Sequence, residues 1–316
     1  MPAVNSVSGP LDTAELGFTL MHEHIMVQSP GVKENFPIMD RQKEIENAIT
    51  RVTDVMARGV KTLVDVTPGD KRDMPFVKDV VAATGMNVIV ATGVYWEVPH
   101  YFRSRSGRSV DHIAELFARD VEEGIMDTGV RAGIIKCASD EPGVTRDVER
   151  ILRAAAKAHR ATGVPISTHT HAASRGGISQ QDVFESEGVD LSRVVIGHSG
   201  DSEELDYLDT LMKRGSYIGM DRFGLDMFLS TDKRVATIAR LCEMGYAEKM
   251  VLSHDANCYF DWVDSEVMRR VAPNWHFNHI PDDVIPALRE AGVSEEQVHT
   301  MTVDNPRRIL ERQGAY

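Results

Sequence analysis

In the stretch GFTLMHEHIMV, His22 and His24 stand one residue apart inside an apolar run. Side chains alternate across a strand, so both imidazoles face one way and Glu23 the other. Polar residues of the same chemical kind recur at the ends of other short β-rich runs: Lys136 in GIIKCASD, His169 in PISTHTH, His198 in VVIGHSG and Asp255 in VLSHDANC. Neutral imidazole and ionised carboxylate are donors for zinc and similar divalent metals. Four histidines and an aspartate exceed the three protein ligands typical of one catalytic zinc, which suggests two metals. Lys136 is the odd member. A lysine among isoleucines is an expensive cation unless paired or neutral. A salt bridge to Asp140 is one outcome; the other is a neutral amine that takes up carbon dioxide, giving a carbamate (N6-carboxylysine) that bridges both metals.

These groups need a scaffold that brings strand ends together. Eight runs read as strands: 17–27, 61–69, 87–95, 132–140, 165–171, 194–200, 217–224 and 250–258. Each is short, rich in Val and Ile, and ends in Gly, Asp, His or Ser, as strands buried on both faces do. Amphipathic segments lie between them. In RQKEIENAITRVTDVMARGV, Ile45, Ala48, Ile49, Val52 and Val55 form one stripe at helical spacing, and a glycine follows the last periodic residues. Eight such units without a linker or composition shift predict a single (β/α)8 TIM barrel over 1–316, with its site at the C-terminal ends of the strands. A doubly wound open sheet is the alternative, but no Gly-rich phosphate-binding fingerprint supports it. The segment 257–281, directly after the eighth run, carries Trp262 and Trp275 and reads as a long loop over the site.

Composition narrows the partners. The 316 residues are 42% hydrophobic and 26% charged, with a formal net charge of −13, which argues against nucleic acid or an anionic membrane. Neither a signal peptide nor a membrane-length apolar run stands out, and three scattered cysteines form no disulfide framework. The expectation is a cytoplasmic enzyme acting on a small molecule.

Across nearly the whole chain, the motifs SGPLDTAELGFTLMHEH, GIMDTGVRAGIIKCASDEPGVT, GVPISTHTHAASRGG, GVDLSRVVIGHSGDS, IGMDRFGLDMF, VLSHDANC and DNPRRIL resemble the phosphotriesterase-like branch of the amidohydrolase superfamily. The resemblance implies that His22, His24 and Asp255 hold one metal, that His169 and His198 hold the other, and that carboxylated Lys136 bridges them. Zinc is the first expectation for both; cobalt, manganese and iron also suit these donors. DRFG and SHDxxC look like the lactonase members, which open N-acyl-homoserine and other γ- or δ-lactones and act more weakly on organophosphate triesters. A hydroxide shared by the metals would attack the carbonyl, with Asp255 as proton acceptor. By the same resemblance Tyr95 stands over the metals, Arg222 lies near the substrate, Cys258 lines the mouth, and the protein is a homodimer. Trp96, Trp262 and Trp275 are further expected lining residues.

The turn TPGDKRDMPF departs from the lactonase VxGxGR pattern, and YWEVPHYF is closer to the phosphotriesterases proper. A phosphotriesterase or carboxylic esterase using the same metals is therefore the alternative within hydrolases. Two readings of other classes remain: a Schiff-base aldolase acting through Lys136, and a barrel that binds but no longer catalyses.

Overall fold

The structure is a computed structural model that describes residues 2–36, 38–311 and 314–316. The chain begins with a hairpin, β1 (Ala3–Ser6) and β2 (Gly9–Asp12). Eight parallel strands follow: β3 (Phe18–Val27), β4 (Val60–Asp65), β5 (Asn87–Gly93), β6 (Ile134–Ala138), β7 (Ile166–His169), β8 (Val194–Ile196), β9 (Tyr217–Met220) and β10 (Met250–Leu252). Each pairs with the next in chain order. Helices such as Arg41–Ala57 and Arg146–Thr162 lie between strands. Asp40 caps the first, accepting from Lys43 N at 3.2 Å, and its Ala48, Val52 and Val55 are buried. Gly163, at φ 74°, ends the second in the left-handed conformation that glycine adopts without strain.

Two apolar layers result. The outer one packs helix stripes on the sheet; the inner one fills the barrel with Met21, Val64, Ile89, Ile134, Val195 and Val251. Val4 from the hairpin joins Leu16, Ile309 and Leu310 in that inner cluster. Asn5 ties the hairpin down by donating to Ala132 O at 3.0 Å. The sequence reading did not find this hairpin, because its packing partners lie over a hundred residues away.

The run 250–258 is not one strand, as expected, but two. Met250–Leu252 pairs with β9, then β11 (Asn257–Phe260) pairs in parallel with β3. Asp255 sits at the break with φ 57°. Backbone bonds bridge it: Asp255 N donates to His22 O at 3.0 Å, and His24 N donates to Ala256 O at 2.8 Å. The eighth strand thus closes the barrel by switching partners part-way along its length. A register shift between Leu20 and Glu23 in β3 lets Met21 fill the interior while the next residue, His22, also faces the barrel mouth. The segment 257–281 likewise contains β11 and a helix, Ser265–Val271.

Candidate metal centre

At the C-terminal ends of the strands, His22, His24, Lys136, His169, His198 and Asp255 line one cavity of about 270 Å³. Room for them comes from what lies beneath. A Cβ on Gly219 would fall 2.2 Å from the Asp221 carboxylate. Only glycine fits there.

Each imidazole has one nitrogen engaged away from the centre. Asp221 Oδ2 takes His22 Nδ1 at 2.9 Å, and Asp221 Oδ1 takes His198 Nδ1 at 3.0 Å and His198 N at 2.8 Å. His24 Nδ1 meets Thr67 Oγ1 at 2.8 Å, and His169 Nε2 lies 3.3 Å from Asp140 Oδ2. Partners of this kind fix a ring's tautomer and orientation. The remaining nitrogens converge on the cavity.

Inside the cavity the ligating atoms crowd together. His198 Nε2 is 2.9 Å from His169 Nδ1, and His24 Nε2 is 3.0 Å from Asp255 Oδ1. His22 Nε2 is 3.5 Å from the same oxygen. His198 Nδ1 and His169 Nε2 are each held by a carboxylate, so where their other nitrogens meet, two lone pairs face each other, an arrangement that a cation relieves. Two nitrogens on one tetrahedral zinc lie about 3.3 Å apart, given Zn–N distances of about 2.0–2.1 Å. His22, His198 and Asp255 offer ligand atoms that all lie within 4.8 Å of one another. The donor set therefore fits a metal.

The electrostatics agree. Burial lowers His22 and His198 below the ordinary imidazole value and His169 to about 4, so all three are neutral donors at pH 7. Asp255 and Asp221 stay ionised: burial opposes this, but the imidazoles beside both hold them well below the carboxylate range. Burial brings Lys136 down to about 8. Its Nζ is 2.8 Å from His22 Nε2 and 3.5 Å from Thr168 O. The salt bridge to Asp140 does not form, because Asp140 is turned to His169.

Tyr95 Oη stands 3.3 Å from His169 Nδ1, and burial raises its pKa. Arg222 donates from Nε to Asp255 Oδ2 at 3.0 Å and from Nη1 to Asp201 Oδ2 at 3.0 Å. Trp262 and Trp275 line the cavity, but Trp96 and Cys258 do not. Trp96 packs against the outer core, and Cys258, on β11, is buried in that layer between barrel and helices. The resemblance implied Cys258 at the mouth and Trp96 was a further expected lining residue; neither lines this cavity. His171 lies off the cavity, bonded to Ser174.

Two functional positions, Asp221 and Lys71, escaped the sequence reading, and a third, Glu23, was read as facing away from the histidines without its partners. Asp221 was legible: it stands at a strand end, beside Arg222 and two residues from inward-facing Gly219. Lys71 lines the cavity from the turn after β4. Glu23, on the outer face of β3, takes hydrogen bonds from Ser253 Oγ, His254 N and Ala256 N at 2.8, 3.0 and 2.9 Å, and His254 Nδ1 lies 2.6 Å away. It thereby holds the break that presents Asp255. His254 extends the link outward, accepting from Ile280 N at 2.9 Å through Nε2 and from Trp275 Nε1 at 3.0 Å through its carbonyl.

A parallel barrel whose strand ends gather histidines and an aspartate around a metal position defines a metal-dependent barrel hydrolase. Comparison with known proteins gives the particular group. The model of the phosphotriesterase family matches residues 2–310, and the chain belongs to that family, within the amidohydrolase superfamily. It is 54% identical over 325 residues to a "phosphotriesterase homology protein" of Mycobacterium tuberculosis, covering 100% of both chains. It is 43% identical over 306 residues to an "aryldialkylphosphatase" of Saccharolobus solfataricus, covering 95% of this chain and 96% of that one. The solved structure of the phosphotriesterase from Mycobacterium tuberculosis superposes with a TM-score of 0.97 at 53% identity, covering 100% of both chains.

Proposed function

We propose that this enzyme hydrolyses uncharged ester groups with two divalent metals, phosphotriesters being the leading substrate class and lactones the second. The reading is carried by the convergence of His22, His24 and His198 on the Asp255 carboxylate, with His169 beside His198. His22, His24 and Asp255 would hold one metal, and His169 and His198 the other, with Lys136 as a carbamate between them. When bound, the metals supply Lewis acidity and bring the pKa of water towards about 7. The phosphotriester reading leads because the aryldialkylphosphatase and phosphotriesterase relatives share the whole barrel. The lactone reading draws on the cavity wall of Leu225, Met227, Phe228, Val263 and Met268, which suits an acyl chain.

The residues divide the work. Asp255 accepts the proton of the attacking water and returns it to the leaving oxygen as the ester bond breaks. Arg222 fixes the orientation of Asp255. Tyr95, kept protonated by its burial, donates a hydrogen bond to the carbonyl or phosphoryl oxygen. The apolar wall excludes bulk water. The aldolase alternative draws no support from Lys136, whose amine lies against His22 within the donor cluster. The same proposal takes the protein as a homodimer in the cytoplasm; no helix among the described residues is long and apolar enough to cross a membrane.

The test compares an aryl dialkyl phosphotriester, a long-chain acyl-homoserine lactone and a simple γ-lactone, before and after chelation and on return of zinc or cobalt. Metal-dependent turnover, fastest on the phosphotriester, is expected. Turnover that survives metal removal, or none on all three substrates, would contradict it.

A further inference from the structure

Within the substrate cavity, Lys71 is held differently from Arg222. Its turn is rigid: Lys71 N donates to Pro68 O at 3.0 Å, and its carbonyl accepts from Gln28 N at 2.9 Å. The side chain is 6% exposed. The ammonium lies 4.8 Å from the ring centroid of Trp262 and 5.6 Å from that of Tyr95. Its hydrogen-bond acceptor is Glu97 Oε2 at a long 3.4 Å, and the Glu97 side chain is 55% exposed. Neighbouring Asp70 acts on it through charge, while the hydrogen bond goes to Glu97.

Compare two neighbouring arginines. Arg222 is neutralised by Asp255 and Asp201, both at 3.0 Å. Arg72 is spent on Ala91 O and on Asp120, so it serves the scaffold. Lys71 has three N–H donors, and aromatic faces meet it where a strong acceptor would be expected. A buried ammonium with so little compensation favours an incoming anion, since charge-assisted hydrogen bonds strengthen away from water.

We propose that Lys71 is a specificity residue that selects substrates carrying an anionic group, such as a carboxylate, a few atoms from the scissile ester. The incoming anion displaces Glu97, whose exposed side chain swings into solvent at little cost. Tyr95 spans the distance: its ring contacts Lys71 and its hydroxyl reaches His169, so one short substrate meets both ends. This inference rests on the hydrolase reading above and names its substrate class more narrowly.

The two residues make opposite predictions. The probes are a γ-lactone whose side chain ends in a carboxylate and the methyl ester of that side chain, with an aryl phosphotriester as a neutral reference. The quantity read is the ratio of kcat/KM for the carboxylate lactone to that for its methyl ester. Lys71→Met lowers the ratio by about tenfold or more, chiefly through KM. Glu97→Gln, which removes the competing carboxylate, raises it. A ratio that stays within about twofold of wild type in both variants overturns the proposal, as does a Glu97→Gln ratio that falls. If wild type turns over the neutral phosphotriester or the methyl ester but shows no preference for the carboxylate, the hydrolase reading stands and the role of Lys71 fails. If nothing is turned over, both fall together.

Discussion

Asp221→Asn is the substitution whose consequence follows most directly from the geometry. The wild-type carboxylate accepts three N–H groups: His22 Nδ1–H on one oxygen, and His198 Nδ1–H and His198 N–H on the other. Asparagine has one oxygen and one NH2 group. Its NH2 cannot face the backbone N–H of His198, so its oxygen stays there and the NH2 turns to His22. Donor then meets donor. His22 relieves this by moving its proton to Nε2, which removes the lone pair aimed at the metal. Loss of such an orienting partner weakens metal binding about 10–100-fold, which is about 1.4–2.7 kcal/mol. The assay is competition for zinc against a chromophoric chelator, with thermal unfolding of the metal-free protein to show that the fold is kept. Wild-type zinc affinity in a folded Asp221→Asn protein would refute the tautomer argument.

Other outcomes follow from the same structure. Lys136→Ala and Asp255→Asn each lose turnover by orders of magnitude on the best substrate; wild-type rates in steady-state assays would remove the roles given to them. Glu23→Gln leaves at least one donor at the strand break unsatisfied and costs about 1–3 kcal/mol of stability, read by urea unfolding; an unchanged midpoint would show that the break holds itself. His159 is buried, and burial lowers its pKa below the ordinary 6.5. Its Nδ1–H donates to Val164 O at 2.7 Å, and its Nε2 accepts from Tyr316 Oη at 2.7 Å. The unfolded chain therefore takes up the proton first. The contribution is complete above about pH 6.5 and is lost as pH falls from there through the lower folded value. The fall in Tm between pH 7.5 and about 5.5 should be smaller in His159→Leu than in wild type; equal falls would contradict it.

Much of this was legible in the sequence because its signals are local. Alternation within GFTLMHEHIMV is enough to pair His22 with His24, and short Val/Ile-rich runs between amphipathic segments are enough to expect eight strands. Strand-end position then selects Lys136, His169, His198 and Asp255. What stayed hidden depends on residues far apart in the chain. The eighth strand breaks at Asp255 because Glu23, more than two hundred residues earlier, supplies the acceptor that its backbone needs. Trp96 and Cys258 sit beside lining residues, and only the final packing turns them to the outer layer. Lys71 carries no periodic signal, since its turn belongs to neither strand nor helix. Asp221 was missed although the strand-end rule that found its neighbours would have found it.

Metal stoichiometry measured alongside activity tests the central claim most directly. The protein, loaded and desalted, should hold two divalent ions per chain by elemental analysis, lose turnover as a chelator removes them, and regain it when zinc or cobalt is returned. Full turnover by a preparation free of metal would contradict the account.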